Sequence, residues 1–298
     1  MKTMIFYDIV KQKLPVIILI SFLAAIFSCN EEAVYTPDER FVLQAYLYAG
    51  EPVWDVTVRN AVPLTVSDSV GEPVNDAEIT IYKNDIAYQL VSSSDSGTYE
   101  YPDDDLIIET GDDISISAIV GDREVSAQTT VPEAPTGVII SSDSILLPEI
   151  EFDDSSGFPD FTAIQELLQA QQDVQLEIVW DNPNGELFFI IVENAEESQE
   201  SIFPESNGFF GRLNGRGAFR QISRPTRESS YQINFQNIQY WGKYIVKVYR
   251  VNQEYADLYE NLEQDSRDLN EPPTNIKNGL GIFSAFNSQS AYFEVIKK

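Results

Sequence analysis

The chain has 298 residues, with 19 Lys and Arg, 48 Asp and Glu and no His, which gives a formal net charge of −29 at pH 7. This negative charge disfavours nucleic acid as a partner, because like charge repels the phosphate backbone. The absence of His excludes Ser–His–Asp triads and histidine-ligated zinc or haem, and a hydrophobic content of 43% indicates a folded chain rather than a disordered one.

The first 28 residues have the features of a secretory signal peptide. Three Lys residues precede the uncharged stretch of residues 14–27, which is followed by the small residue Ser28. This apolar stretch is shorter than the roughly 18 residues that a membrane-spanning helix needs. We therefore predict a signal peptide over residues 1–28.

The single cysteine of the chain, Cys29, follows directly. One thiol cannot form an intramolecular disulfide, so its neighbours must explain it. The sequence Ile26-Phe27-Ser28-Cys29 resembles the lipobox of bacterial lipoproteins, in which the cysteine is lipidated and becomes the mature N-terminus. This resemblance implies a lipid anchor at Cys29, since several acyl chains hold a protein firmly at a membrane. We expect residues 29–38 to form a tether.

Residues 39–133 contain seven segments typical of β-strands. β-Branched and aromatic residues alternate with polar ones, and turn residues separate the segments, which show no helical period. They span residues 40–48, 53–62, 76–83, 85–92, 97–101, 112–120 and 123–131. This pattern predicts an antiparallel β-sandwich, and the prolines of VPEAPTG, residues 131–137, indicate its boundary.

Residues 134–298 predict a second antiparallel sandwich of the immunoglobulin or fibronectin type. Apolar residues at helical spacing, including Ile164, Leu167 and Leu168, predict two short helical insertions near residues 160–172 and 252–265. The strand segments are residues 137–147, 174–180, 186–194, 231–238 and 242–251, followed by LGIFSAF and SAYFEVI as two closing strands. The turn sequence DNPNG predicts a hairpin between the segments 174–180 and 186–194. The fold class is therefore all-β, with two sandwich domains.

Three stretches together resemble one family. GTYEY (97–101), IETGDDISISAIVGDREVSAQTTVPEAPTGV (108–138) and EPPTNIKNGLGIFSAFNSQSAYFEV (271–295) are similar to Bacteroidota outer-membrane lipoproteins classed as a domain of unknown function, DUF4249-like. Members are commonly encoded beside TonB-dependent receptors, so the resemblance implies such a receptor as partner. Glu31 and Glu32, after the lipidated cysteine, look like the signal that sends these lipoproteins to the outer face. The family offers no catalytic residues.

The resemblance thus implies a surface-exposed, non-enzymatic accessory or ligand-capture partner of a TonB-dependent transporter. A cell-surface adhesin or structural component, dependent on calcium, is the alternative. Glycoside hydrolysis by paired carboxylates is chemically open, but no motif stands out among 48 acidic residues.

The acidic stretch YPDDDLIIETGDD, residues 101–113, carries oxygen ligands suited to Ca²⁺. It lacks the regularly spaced Asp residues and Gly of a calcium-binding loop, and solvated turns explain it equally. The candidate ligands are Asp103, Asp104, Asp105, Asp112 and Asp113. We expect no other cofactor.

The stretch GFFGRLNGRGAFRQISRPTR, residues 208–227, holds five arginines and no acid. Gly211, Gly215 and Gly217 disfavour a helix, so a loop is predicted. Arginine and aromatic residues are enriched at protein interfaces. The partner-binding candidates are Arg212, Arg216, Arg220, Arg224, Arg227, Phe209 and Phe210. Pairing of these arginines with the acidic surface of the protein itself is the alternative.

The stretch NGLGIF, residues 278–283, lacks the third glycine of a dinucleotide-binding motif. Its glycines instead predict a turn before a buried strand, with positive φ at Gly279 or Gly281.

Overall fold

Alternating burial follows the alternating sequence of the first half of the chain. In β1, Phe41–Tyr48, every second side chain from Phe41 to Leu47 is buried. The hairpin strands β7, Asp113–Val120, and β8, Arg123–Thr130, repeat the pattern. Because successive side chains point to opposite faces of a strand, each strand places one apolar face in the core.

The computed structural model describes residues 40–62, 70–150, 161–203, 220–262 and 273–298, which are mostly β-strands. Within these ranges there are two short α-helices, α1, Phe161–Asp173, and α2, Gln253–Leu262, close to the predicted positions, and one 3₁₀ helix, Phe235–Asn237. None of the helices described is long and apolar enough to span a membrane. The other strands are β2 Trp54–Asn60, β3 Glu78–Lys83, β4 Ile86–Gln89, β5 Val91–Ser92, β6 Thr98–Glu100, β9 Ile139–Ile140, β10 Ser144–Leu147, β11 Leu176–Val179, β12 Phe188–Asn194, β13 Arg220–Ile222, β14 Ser230–Ile233, β15 Gly242–Val251 and β16 Leu280–Lys297.

In the described residues the largest sheet has nine strands, in the order β13-β12-β15-β16-β1-β2-β6-β5, with β10 also paired to β16. A sheet of β4-β3-β7-β8 packs against β1 and β2 around a first core cluster. A sheet of β14-β11-β9 packs with α1 against β12, β15 and β16 around a second cluster. The arrangement is sandwich-like, because each core lies between two sheets.

The closing strand β16 is continuous over 18 residues, where two strands were predicted. Residues 287–289, which separate the predicted strands LGIFSAF and SAYFEVI, are extended instead because they pair with β15. Asn287 is buried there and donates to Thr110 Oγ1 at 2.7 Å and to the Pro132 carbonyl at 2.8 Å, which satisfies its amide.

β16 also departs from the antiparallel pairing that was predicted throughout. Its first residues pair in parallel with β1, and its last residues pair in parallel with β10. Phe283 and Ala285 of β16 belong to the first core cluster, while Phe293 and Val295 belong to the second. The boundary predicted near residue 133 lies between β8 and β9, and the large sheet joins the two halves through β16.

The predicted hairpin between residues 174–180 and 186–194 is wrong. β11 pairs with β14 and β9, whereas β12 pairs with β13 and β15 in the large sheet. The DNPNG turn therefore carries the chain from one sheet to the other. Asn182 stabilises this turn, since its side chain accepts from Glu186 N and donates to the Glu186 carbonyl.

The buried face of α1 differs from the prediction at one residue. Ile164 and Leu167 are buried as expected, but Leu168 is 43% exposed. The face continues instead to the buried Gln171, whose Nε2 donates to the Ile238 carbonyl at 3.0 Å. Hydrophobic periodicity does not predict this buried position, because it holds a polar residue whose side chain donates to a backbone carbonyl.

The NGLGIF turn places β16 beside β1, and the predicted positive φ is confirmed at Gly281, where φ is +108°. An ideal Cβ at Gly281 would lie 2.0 Å from the Leu43 carbonyl oxygen, so only glycine fits. Asn275 fixes the approach, because its side chain accepts from Phe283 N and donates to the Phe283 carbonyl.

Candidate ligand-binding site

Helix α2 packs over one face of the large sheet, opposite to the face that carries the two main cores. A third cluster of buried residues forms there from β12, β15, β16 and α2, with tyrosines of β1 against it. We call five of its ring-bearing residues the aromatic cluster, namely Tyr46, Tyr48, Phe189, Tyr255 and Phe286.

Phe286 is the centre of the aromatic cluster. Tyr46 stacks on it with ring centroids 5.7 Å apart, and Tyr255 meets it edge-on at 5.1 Å. Phe189 also meets it edge-on, at 5.6 Å. Such pairs contribute about 0.5–1.5 kcal/mol each beyond area burial, so the rings hold one another in place.

A cavity of about 250 Å³ opens beside the aromatic cluster, and we call it the aromatic pocket. Its other wall comes from Ile191 and from β13 and the residues after it, namely Arg220, Ile222, Ser223 and Pro225. Arg220 and Ile222 alternate along β13 toward the pocket, while the intervening Gln221 donates to Tyr231 Oη at 2.9 Å. The edge strand thus supplies one cation and one exposed aliphatic side chain to an aromatic cavity.

Arg220 is the cationic group of the pocket. Its Nε lies 3.8 Å from Glu193 Oε2, a long ion pair, and half of its side chain is exposed. Glu193 is shared, because its other oxygen lies 3.6 Å from Lys247 Nζ, which also lies 3.4 Å from Glu51. Exposed pairs of this length contribute little, so the Arg220 guanidinium keeps donors for another partner.

The three tyrosines of the pocket remain protonated at neutral pH. Burial raises the pKa of Tyr46, and the neighbouring Tyr255 and Asp55 raise it further. Burial also raises the pKa of Tyr255, and it raises that of Tyr48 against the opposing charge of Arg220. In the part of the chain that the structure describes, none of these three hydroxyls makes a hydrogen bond. They are therefore available to a ligand.

The arginines predicted to bind a partner do not form one group. Arg220 lines the aromatic pocket, whereas Arg227 lines a separate cavity and donates to the Gly185 carbonyl at 2.5 Å. Arg224 is exposed between them, and its carbonyl accepts from Ser223 Oγ. The predicted loop is wrong for residues 220–222, which form β13 because they pair with β12. Outside the described residues lie Phe209, Phe210, Arg212 and Arg216, together with Cys29, Glu31 and Glu32.

The acidic stretch of residues 101–113 does not assemble into a metal site. Asp105 accepts from Tyr101 at 2.6 Å, a hydrogen bond that raises the pKa of Tyr101 to about 12. Asp112 pairs with the buried Lys83 at 2.7 Å, and Asp113 accepts from Thr130. Among the described residues no three acidic groups are arranged to hold a metal ion. The predicted grouping of Asp103, Asp104, Asp105, Asp112 and Asp113 is not formed, because partners hold three of them separately.

The aromatic pocket was not predicted from the sequence, although the sequence carries two signals for it. Tyr46 and Tyr48 alternate with the core residues of β1, which places large rings on the face of the strand that points away from the first core. The run FFIIV in β12 is apolar without alternation and is buried on both faces. Both patterns indicate that a second layer covers the sheet.

The chain matches one family model and is similar to solved structures, two of which are described here. The family model, described as Domain of unknown function (DUF4249), matches residues 29–291. No curated protein matches the sequence. The FN1–FN3 domains of chicken CNTN1 are 12% identical over 70% of this chain and 58% of theirs, with a TM-score of 0.23. Titin domains A168–A170 are 13% identical over 86% of this chain and 66% of theirs, with a TM-score of 0.19. The chain thus spans less than two thirds of either structure.

Proposed function

Because the chain belongs to the DUF4249 family, a domain of unknown function, we propose that it is a non-enzymatic ligand-capture protein at the outer-membrane surface, where it serves a TonB-dependent transporter. The observation that carries the proposal is the aromatic pocket. It combines apolar walls with Arg220 and three hydroxyls that lack partners among the described residues. Pockets of this composition are the usual form of small-molecule sites.

The arginine-rich stretch supports a partner beside the pocket. Residues 208–219 lead directly into β13, so Arg212 and Arg216 lie within eight residues of the pocket wall in sequence. Local positive charge in a chain of net charge −29 suits an acidic patch on a partner. The resemblance to outer-membrane lipoproteins implies that this partner is a TonB-dependent receptor.

Attachment to the outer membrane rests on the sequence of the leader. The lipobox at Cys29 supports a lipid anchor, and Glu31 and Glu32 support export to the outer face. Replacing Cys29→Ala is expected to move the protein from the membrane fraction to the soluble fraction. Retention in the membrane after this change would contradict lipid anchoring.

The fold is proposed to consist of two immunoglobulin- or fibronectin-like sandwich domains, over residues 39–133 and 134–298. The two large core clusters support this division, because each draws most of its residues from one half of the chain. The strand β16 belongs to both clusters, so in this proposal the closing strand joins the domains.

Affinity purification of the tagged chain from detergent-solubilised outer membranes tests the function. We expect a TonB-dependent transporter at a stoichiometric ratio. The combined change Arg212→Glu, Arg216→Glu and Arg220→Glu is expected to remove it without altering the melting temperature. A matching loss of stability would instead favour pairing of these arginines within the protein. A chain that purifies alone and adheres to surfaces would contradict the proposal and favour an adhesin.

A further inference from the structure

The size and walls of the aromatic pocket limit what it can hold. Its volume of about 250 Å³ lies below the roughly 300–1,000 Å³ typical of sites for drug-sized ligands. Tyr46, Tyr48 and Tyr255 are only partly buried, so they present ring surface to the cavity, and Ile222 is 58% exposed across from them. These walls suit one ring with a short substituent.

The polar groups of the pocket can all donate hydrogen bonds, since the Arg220 guanidinium only donates and each tyrosine hydroxyl can donate or accept. The Tyr46, Tyr48 and Tyr255 hydroxyls carry protons that no other described residue accepts. Ser223 adds no free group, because its hydroxyl accepts from Ile190 N and donates to the Arg224 carbonyl, both at 2.9 Å. A ligand that fits this site therefore contributes acceptor oxygens.

The charge of the pocket selects among such ligands. The planar guanidinium of Arg220 matches a carboxylate in geometry, and its 3.8 Å contact with Glu193 leaves it accessible. Lys247 lies between Glu51 and Glu193 and offsets their charge near the site. A polyanion is disfavoured by the net charge of −29, whereas a single carboxylate meets little repulsion.

We propose that the aromatic pocket binds a small monocarboxylate that carries one ring. The carboxylate pairs with Arg220 and accepts from the Tyr48 hydroxyl, and the ring packs against Tyr46 and Phe286. This inference rests on the proposed function of ligand capture and names the chemical class of the ligand.

Isothermal titration calorimetry of the full chain in detergent micelles tests the inference, with 3-phenylpropionate as the probe. Propionate lacks the ring, and 3-phenylpropan-1-ol lacks the charge. We expect 3-phenylpropionate to bind at least tenfold more tightly than either, because an ionic hydrogen bond and a buried ring each contribute that much. Glucose, as a neutral ring with both donors and acceptors, serves as the comparison from another class.

Arg220→Gln is expected to weaken binding of 3-phenylpropionate at least tenfold, and Tyr48→Phe severalfold. Arg224→Gln is the matched control, since Arg224 lies on the same segment but does not line the pocket. The Arg224→Gln protein should bind 3-phenylpropionate as tightly as the wild type. Titration of each compound into protein-free micelles gives the heat of micelle partitioning, which is subtracted from every protein titration. Unchanged melting temperatures establish that each variant is folded.

Three results would overturn the ligand class: no binding of 3-phenylpropionate, equal binding in the Arg220→Gln variant, or tighter binding of glucose. This failure is distinguishable from failure of the proposed function. A chain that copurifies with a transporter but does not bind the carboxylate refutes only the ligand class. A chain that binds the carboxylate but purifies alone refutes the role beside a transporter.

Discussion

Replacing Gly281→Ala tests how the last strand of the chain is held beside the first. Gly281 has a φ of +108° and lies opposite Leu43 in the parallel pairing of β16 with β1. The added Cβ would lie 2.0 Å from the Leu43 carbonyl oxygen, which is backbone and cannot rotate away as a side chain would. The strands must therefore separate at this point, or the backbone of the turn must change.

The expected loss of stability has two parts. A non-glycine residue at positive φ costs about 1–2 kcal/mol. Separation of the strands removes one or two ladder hydrogen bonds, each contributing about 1 kcal/mol net. We therefore expect Gly281→Ala to lower the free energy of unfolding by about 3 kcal/mol, a large part of the roughly 5–15 kcal/mol of a typical protein.

Gly121 provides the matched control. It lies in the turn between β7 and β8 with a φ of +63°, and nothing lies within 4 Å of its ideal Cβ. Gly121→Ala therefore carries only the backbone cost, about 1 kcal/mol. Urea denaturation followed by circular dichroism measures both variants. Equal losses of unfolding free energy would refute the reasoning, because the close approach to Leu43 would then have no effect.

Three further predictions concern charge and pH. Lys83→Met should lower the free energy of unfolding in urea by about 3 kcal/mol, because it leaves Asp112 without the cation that lies 2.7 Å away. Adding Asp112→Asn should restore most of the lost stability. If stability does not recover, the Lys83–Asp112 ion pair does not explain the loss. Burial raises the pKa of Tyr48, so its contribution to stability is fully present below pH 10 and falls as the pH rises further. Tyr48→Phe should therefore reduce the alkaline decline of the unfolding free energy by up to about 1.4 kcal/mol per pH unit. An unchanged decline would contradict this. Millimolar Ca²⁺ should leave the melting temperature unchanged, because the Asp112 carboxylate is already paired with Lys83. A clear rise in the melting temperature would instead indicate a calcium site in residues 101–113.

Local sequence pattern predicted most of the strands that the structure describes. The segment predicted at residues 112–120 is β7, Asp113–Val120, and the segment predicted at 123–131 is β8, Arg123–Thr130. Their alternation and the short turn between them depend only on neighbouring residues. Such elements can be predicted because one strand face must be apolar whatever it packs against.

Pairing between distant segments could not be predicted in the same way. β16 pairs with β1 across more than 230 residues, and the sequence of either strand is compatible with parallel or antiparallel neighbours. The polar residues 287–289 separated the two predicted closing strands, because nothing in the sequence shows that Thr110 and Pro132 satisfy the side-chain amide of Asn287. The short strand β13 is specified by its partner β12 more than by its own three residues.

The aromatic pocket illustrates the same limit at the level of function. Its rings come from β1, β12, α2 and β16, which only the sheet order brings together. The sequence identified Arg220 as a candidate for binding a protein partner, from the arginines and phenylalanines of its stretch, whereas the structure places Arg220 beside an aromatic wall. A cluster of like charges can be recognised in the sequence, whereas a cavity cannot be predicted because it depends on packing between distant segments.

The central claim is that the chain captures ligand for an outer-membrane transporter, and native mass spectrometry of the complex purified through a tag on this chain tests it most directly. We predict a one-to-one assembly with a TonB-dependent transporter that is absent from the Arg212→Glu, Arg216→Glu and Arg220→Glu variant. Detection of the wild-type chain alone, or of the same assembly in the variant, would contradict the account.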